Sequence, residues 1–529
     1  MAAAGFTRDA HHGGGVERPL TPAACLMLQG TSSGVGKSLL AAAFCRLFAR
    51  AGYRVAPFKA QNMSLNAAVT ADGGEIGRAQ AAQAEAAGVE PTVDMNPVLL
   101  KPEEDDRSQL VVRGRAVGRL SFREYRARQP HLATVIAASL QRVRARHELV
   151  VIEGAGSPAE INLRDADLVN MHVARLAGAP VLLVGDIDRG GVFAALVGTL
   201  ALLAPADRAR VAGLIVNRLR GDPGVLGPGL DELHALTGVP VLGVVPWIAE
   251  RLVPAEDSLD LDTGAVAGSA GPAIDIAVVQ LPRIANFDDF EWLAGEPGVR
   301  VRWVTTPAGL AGADLVALPG SKSTIADLAW LRERGLAPAV TAAARAGRAL
   351  LGVCGGYQML GRALYDPDGV ESAIRSAPGL DLLPIETIFA PDKTTVRVRA
   401  RATGAPGPFA SAAGIECEAY EIHAGVTRLL EAGVGRPFVV LRRGGARVGD
   451  PDGAADATGT VTGTYLHGIF ASGAVRRALL GWLAERAGRV PRPEWGESGA
   501  CGARWDRLAD IVAAAVDVRA IGKLVGRPL

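Results

Sequence analysis

Cysteine is scarce in this chain and the cysteines are scattered. Five occur in 529 residues, Cys25, Cys45, Cys354, Cys417 and Cys501, and no two form a CxxC pair. That excludes a disulfide framework or a zinc site built on paired thiolates, and it suits a reducing compartment. Charge of one sign is also missing: 56 basic and 55 acidic residues leave a formal net charge of +1. A nucleic-acid partner is not expected without a basic excess or stripe. The run Arg142-Val143-Arg144-Ala145-Arg146 has no interleaved aromatics and reads as a solvated helix face. No window nears the roughly 20 apolar residues that span a bilayer. The stretch to Leu20 has no apolar run of the secretory type. The expectation is a soluble, cytoplasmic protein with no membrane partner.

A chain of this length exceeds one compact core, so two or three domains are expected. Residues 1–22 read as a disordered tail. From Ala23 short apolar strands alternate with amphipathic helices: Cys25–Gln29, a helix Ser38–Arg50, then Arg54–Phe58, Leu149–Ile152, Val181–Val184, Leu214–Val216 and Val241–Val245. Strands apolar throughout and separated by helices belong to a parallel sheet covered on both faces. Residues 255–273 are small, acidic and Gly-rich, the composition of a linker. A second alternating series follows, with strands at Ile274–Val279, Val301–Val304, Leu315–Leu318 and Ala349–Val353. After residue 385 the alternation of Thr394–Ala400 predicts antiparallel strands, and Ser472 is placed to N-cap a helix that runs to Ala487. The predicted fold is therefore α/β, with two doubly wound, mostly parallel sheets. The first domain spans 23–254, the second 274–485, and residues 486–529 form a C-terminal extension.

Two motifs carry chemistry. The first is Gly30-Thr31-Ser32-Ser33-Gly34-Val35-Gly36-Lys37-Ser38, between a strand and a helix. Small residues such as Gly34 and Gly36 let backbone N–H groups wrap a phosphate, and the helix dipole favours the same anion. Lys37 would neutralise the outer phosphates of ATP, and the Ser38 hydroxyl would ligate Mg²⁺. The first glycine is one residue further from the lysine than in the standard phosphate loop. Polar residues follow the later strands: Lys59, Glu153, Asp165, Asp167 and Asp188. At the carboxyl ends of a parallel sheet they face the usual ligand crevice. Lys59, Asp167 and Asp188 could meet phosphate or substrate, although each aspartate could equally cap a helix or sit on the surface.

The second motif is Leu351-Gly352-Val353-Cys354-Gly355-Gly356. A cysteine directly after a buried strand, with glycines opening the next turn, forms a nucleophile elbow. The following N–H groups can stabilise an oxyanion, and the thiolate needs a base. Both His467, in Thr464-Tyr465-Leu466-His467, and His423 are candidates.

The phosphate loop, of form GTxxGVGKS, resembles that of dethiobiotin synthetase and its relatives. By that resemblance Glu153 shares the Mg²⁺ with Ser38, and Asn217 reads the adenine edge. Residues 274–470 resemble a class I glutamine amidotransferase. The match implies that Cys354 attacks the glutamine carboxamide, that His467 shuttles the proton, and that Gly355 and the Pro319-Gly320-Ser321 turn, at Gly320, form the oxyanion hole. The family's acidic third member stands two residues after the histidine; here that position is Ile469, so the third member is absent or replaced, and a Cys-His dyad is one outcome. Taken in this order, with Phe58–Asn66, Glu153–Asn170 and Tyr420–Gly425, the two halves resemble the cobyric acid synthase family from about Cys25 to residue 515. That resemblance implies ATP- and glutamine-dependent amidation of the b, d, e and g carboxylates of a corrinoid, adenosylcobyrinic acid a,c-diamide. The alternatives are a cobyrinic acid a,c-diamide synthase, another glutamine-dependent amidoligase, or a P-loop ATPase switch with a non-catalytic second domain. Such a switch carries a second lysine early in its loop, which Gly30–Ser33 lack.

Overall fold

The computed structural model describes residues 22–104, 107–250, 252–254, 274–497 and 501–529. The expected linker 255–273, and the expected tail apart from residue 22, lie outside the described residues. Six strands form one parallel sheet in the order Val241–Pro246, Val211–Leu219, Val181–Asp186, Ala24–Gly30, Leu149–Glu153, Val55–Phe58. The inner strands are apolar along their length because helices cover both faces. Leu149–Glu153 and Val181–Asp186 are buried at every position. Parallel register brings the carboxyl ends together: Leu28 lies beside Glu153, and Asp186 beside Asn217.

The first half carries an element that sequence reading did not anticipate. Gln61–Met63, Val98–Glu104, Arg107–Val112 and Arg115–Ser121 form a separate four-stranded sheet. It leads into the helix Phe122–Arg146 through a capping box, in which Ser121 Oγ accepts from the Glu124 N–H and Glu124 Oε2 accepts from the Ser121 N–H. The arginines near the end of that helix are not simply solvated. Arg142 donates twice to the buried Asp94 (2.7 and 2.9 Å), and Arg144 donates to the Ala23 carbonyl (3.1 Å).

In the second half the sheet order is Val299–Val304, Ile274–Val279, Leu315–Leu318, Ala349–Val353, Val461–Thr464, Ala454–Ala455. All pairs are parallel except the last. Beside it the expected antiparallel strands form around Ile385–Ala402 paired with Glu416–Leu429. The late helix is Gly473–Arg486; Ser472 stands at its N-cap without a capping side-chain bond.

The chain then returns to the first half. The helix Cys501–Ala515 lays Trp505, Leu508 and Val512 into the core that holds Phe44 and Phe48. Arg46 pairs with Asp506 at 2.8 Å, and Asp517 donates its N–H to Leu242 (2.7 Å). The two halves meet along a polar seam. Arg78 pairs with Asp288 (2.9 Å), Asn66 accepts the Phe287 N–H (3.2 Å), and Arg283 donates to the Glu103 carbonyl (2.8 Å).

Candidate active site

The phosphate loop follows the central strand of the first sheet, and its shape demands glycine at Gly36. That residue has φ +94°, and a Cβ there would lie 2.1 Å from Asn217 Nδ2. Asn217 reaches over from the second strand away, Val211–Leu219, and donates to the Val35 carbonyl at 2.8 Å, so it braces the loop as well as lining the cleft. The Lys37 ammonium donates to the carbonyls of Ser32 (2.8 Å) and Gly156 (3.1 Å), which holds it curled over the loop.

Glu153 is the hub beneath that loop. Its Oε1 accepts from Ser38 Oγ (2.8 Å) and Lys59 Nζ (2.9 Å), and its Oε2 accepts from Gln83 (2.6 Å). The carboxylate is buried, as is the Lys59 ion pair, so it is no strand-end acid facing water. Ser38, Lys59 and Glu153 line a cleft of about 450 Å³ that Trp247, Leu252 and Pro254 help to enclose. A hydroxyl and a carboxylate oxygen 2.8 Å apart suit a hard cation that takes one or two protein ligands and completes its shell with phosphate and water. Among the described residues no cluster of three or more His, Cys, Asp or Glu could hold a metal alone. The donor set therefore fits Mg²⁺ carried in with a nucleotide.

Two other predicted residues lie outside the nucleotide cleft, and one of them, Asp167, lines a neighbouring cavity. Both Asp167 oxygens are occupied by backbone N–H groups of Val169, Asn170 and His172, so it organises the loop before the helix Met171–Ala177. Asp188 does not line the nucleotide cleft; it pairs with Arg220 at the surface, at 2.5 Å. The loop that Asp167 organises does border a second cavity of about 510 Å³, walled by Leu100, Leu120, Tyr125 and Leu163, with Arg107 and Arg164 among its cations. This cavity shares Met63, Ala155 and Gly156 with the nucleotide cleft.

In the second half, Cys354 sits at φ +50°, ψ −107°, a backbone conformation that costs a non-glycine residue about 1–3 kcal/mol. The surrounding structure holds it there. The Cys354 N–H donates to Thr464 (2.8 Å), and its carbonyl accepts from Gln358 (3.0 Å). Gly356 follows because a Cβ there would lie 2.0 Å from the Leu318 carbonyl oxygen. Gly320 and His467 line the same cavity of about 130 Å³ as Cys354, and Gly355 opens the helix Gly355–Met359.

His467 shares its cavity with Cys354, whose thiol donates to the Ile422 carbonyl at 3.5 Å, and bonds to Asp289. Its Nδ1 donates to Asp289 Oδ2 at 2.7 Å, and Asp289 Oδ1 accepts the Gly468 N–H at 2.7 Å. Burial opposes the charged imidazolium, but the Asp289 carboxylate and the Cys354 sulfur outweigh it, pushing the His467 pKa up to about 10. Of the two outcomes the third member is replaced rather than absent, and the site is no dyad: an acidic partner is present, 178 residues before the histidine. Ile469, at the family position, is buried in the core. His423 is turned away from the role of base. Its Nδ1 faces the Gly425 carbonyl at 2.8 Å, its ring stacks on Tyr465, and burial lowers its pKa.

Sequence reading missed Asp289, Gln83 and Arg78. The one signal for Asp289 was an acid pair between aromatics, Phe287-Asp288-Asp289-Phe290, just beyond the first strand of the second sheet. Its loop is clamped from the first half by Arg78 on Asp288 and by Asn66 on Phe287.

Comparison with known proteins agrees with both halves. Residues 26–257 match the family described as a CobQ/CobB/MinD/ParA nucleotide binding domain. Residues 275–475 match the CobB/CobQ-like glutamine amidotransferase domain. The cobyric acid synthase of Sorangium cellulosum is 55% identical over 516 residues, covering 95% of this chain and 98% of that one. Those of Rhodococcus jostii (49% over 509 residues, 95% of each chain) and Dehalococcoides mccartyi (48% over 496 residues, 94% and 97%) are similar to it along nearly their whole length. With Cys354 and the His467–Asp289 pair at one cavity in one half and a phosphate cradle in the other, the chain belongs to the cobyric acid synthase family.

Proposed function

We propose that this glutamine-dependent amidoligase converts peripheral carboxylates of a corrinoid, adenosylcobyrinic acid a,c-diamide, into amides, acting on the b, d, e and g side chains in turn to give cobyric acid. The observation that carries the reading is the coexistence of two complete sets of groups in one chain. Cys354, His467 and Asp289 form one, while Lys37, Ser38, Lys59 and Glu153 form the other.

At the first set, Cys354 passes its thiol proton to His467, and the Sγ thiolate attacks the carboxamide carbon of glutamine. The charge that gathers on the carbonyl oxygen falls to N–H groups at Gly355 and at the Gly320 turn. His467, protonated and held by Asp289, gives its proton to the leaving nitrogen, so ammonia departs and a thioester remains. Water then attacks the thioester as His467 takes up its proton, and the cysteine is restored as glutamate leaves.

At the second set, a carboxylate oxygen of the corrinoid attacks the terminal phosphorus of ATP, which yields an acyl phosphate and ADP. Ammonia attacks the acyl carbon, and inorganic phosphate departs. Lys37 and Lys59 would face the charge on the phosphates, and Asn217 borders the nucleotide. Ser38 and Glu153 would hold Mg²⁺, whose part is to neutralise phosphate charge. The apolar cavity beside this cleft suits a large, mainly apolar ring with charged side chains, and Arg107 and Arg164 supply cations at its border.

The test is mass spectrometry of corrinoid acids incubated with the protein, ATP, Mg²⁺ and glutamine. Stepwise replacement of carboxyl OH by NH₂, four times on the a,c-diamide, is expected. No mass change on that acceptor, or two steps confined to cobyrinic acid itself, would overturn the assignment.

A further inference from the structure

The cavity at Cys354 is not built by the second half alone. Lys101, Gln109 and Ala116 enter it from the four-stranded sheet of the first half, opposite Lys322, Glu371 and Lys393 of the second. Its lysines already have anionic partners. Lys101 and Lys393 both pair with the buried Glu75, the latter at 2.6 Å, and Lys322 pairs with Glu103 at 2.6 Å. Two acceptors do not. Among the described residues, Gln109 Oε1 and Glu371 Oε2 are shut from solvent and have no hydrogen-bond partner, although Glu371 Oε1 accepts from Thr324 at 3.2 Å.

Both groups are held in place. Gln109 lies mid-strand, opposite Lys101 in the ladder. Glu371 rides on a loop whose N–H groups at Val370, Glu371 and Ser372 all donate to Asp366, at 2.7, 2.8 and 2.7 Å. Arg119 of the first half grips the same loop at the carbonyls of Gly369 and Val370. What the cavity lacks is therefore a donor, preferably a cation, since buried polar atoms without partners are uncommon in folded proteins. Glutamine brings an α-ammonium group with three N–H donors. Burial pushes the Glu371 carboxyl up to about 8 against the pull of Lys322 and Thr324, and a bound ammonium would offset that burial.

We infer that Glu371 and Gln109 together receive the α-ammonium of glutamine, so that the substrate site of the cysteine half is completed by a residue of the nucleotide half. The inference rests on Cys354 being the glutaminase nucleophile. It explains how one cavity would choose free glutamine over a simple amide, since a site built around an N–H donor discriminates against analogues that lack it.

The experiment compares hydrolysis of glutamine with that of glutaramate, the same acid without the α-amino group, and runs amidation from ammonium chloride alongside. Wild-type protein is expected to favour glutamine in kcat/KM by about a hundredfold or more. In Glu371→Gln and Gln109→Leu the KM for glutamine rises, the preference falls at least about tenfold, and amidation from ammonium is kept. Wild-type preference retained by both variants overturns the inference. Where Glu371→Gln fails to fold, Gln109→Leu on the other half decides. Failure of wild-type protein to make amide from either nitrogen source would count against the proposed reaction itself, a separate outcome.

Discussion

The two reactive centres are prepared in opposite ways. In the proposed reaction the protein supplies nucleophile, base and acid at Cys354. Cys354 is held in a strained conformation, and His467, already bonded to Asp289, lines the same cavity. At Lys37 the side chains are engaged with one another and with the loop, Ser38 and Lys59 on Glu153 and Lys37 on backbone carbonyls. Those bonds must be exchanged for bonds to phosphate and Mg²⁺. The difference teaches that the thiol chemistry is preorganised by folding, whereas the nucleotide chemistry waits for its ligand.

The largest expected effects test whether the centres are separable. Cys354→Ala should abolish glutamine hydrolysis and glutamine-dependent amidation while leaving amidation from ammonium chloride intact. Lys37→Ala should abolish amidation from both nitrogen sources and spare part of the glutaminase. Equal hydrolysis by wild-type and Cys354→Ala protein, or unchanged amide synthesis in Lys37→Ala, would erase the division of labour. Product assays for glutamate and corrinoid amide read both.

Next in size is Asp289→Asn, which keeps the shape of the carboxylate and removes its charge. Glutaminase kcat should fall by about 10²–10⁴-fold, the scale of acid–base assistance. The pH profile sharpens the point. Because folding raises the His467 pKa from 6.5 to about 10, the stability contributed by its proton is complete below pH 6.5 and is lost as pH climbs towards 10. The alkaline limb of the rate should behave likewise, lying near pH 10 in wild-type protein and moving towards neutrality in Asp289→Asn. A limb that does not move would mean that Asp289 does not set the charge of His467.

How much of this could be read in advance follows from how local each signal is. The phosphate loop and the cysteine elbow were legible because each is a short run of small residues between a buried strand and a helix. The six parallel strands were legible as apolar runs. Asp289 was not, since its partner lies 178 residues away and only the folded sheet brings them together. The four-stranded sheet escaped notice because Arg115–Ser121 is exposed at its first five positions of seven and has no apolar run. Asp167 stood in the right loop, yet backbone N–H groups occupy its carboxylate, a detail of caps that spacing does not carry. The helix Cys501–Ala515 fell within the expected C-terminal extension, and nothing local says that it returns to the first half.

Arg78→Ala tests whether the preorganised centre depends on the seam. It leaves Asp288 buried beside Asp289 without its cation, and breaking such a pair costs about 3–5 kcal/mol of stability. A lower thermal midpoint is expected, with a glutaminase loss larger than the loss in ammonium-dependent amidation, because the clamped loop carries Asp289. Equal losses in the two reactions would indicate general unfolding rather than a shift at His467.

The smallest effect belongs to the ligand-dependent centre. Asn217 donates a single bond to Val35, and Gly36 has no Cβ because one would collide with that amide. Asn217→Ala removes the brace but leaves Lys37, Ser38 and Glu153 in the cleft. A hydrogen bond of this kind is worth about 1 kcal/mol, so the KM for ATP should rise by roughly fivefold with little change in kcat. Glutamine hydrolysis measured without nucleotide should be untouched, since nothing at Cys354 leans on this loop. A fall in that nucleotide-free rate would mean that the phosphate loop helps to shape the distant thiol centre, and the contrast between a finished site and a waiting one would give way to a single coupled unit.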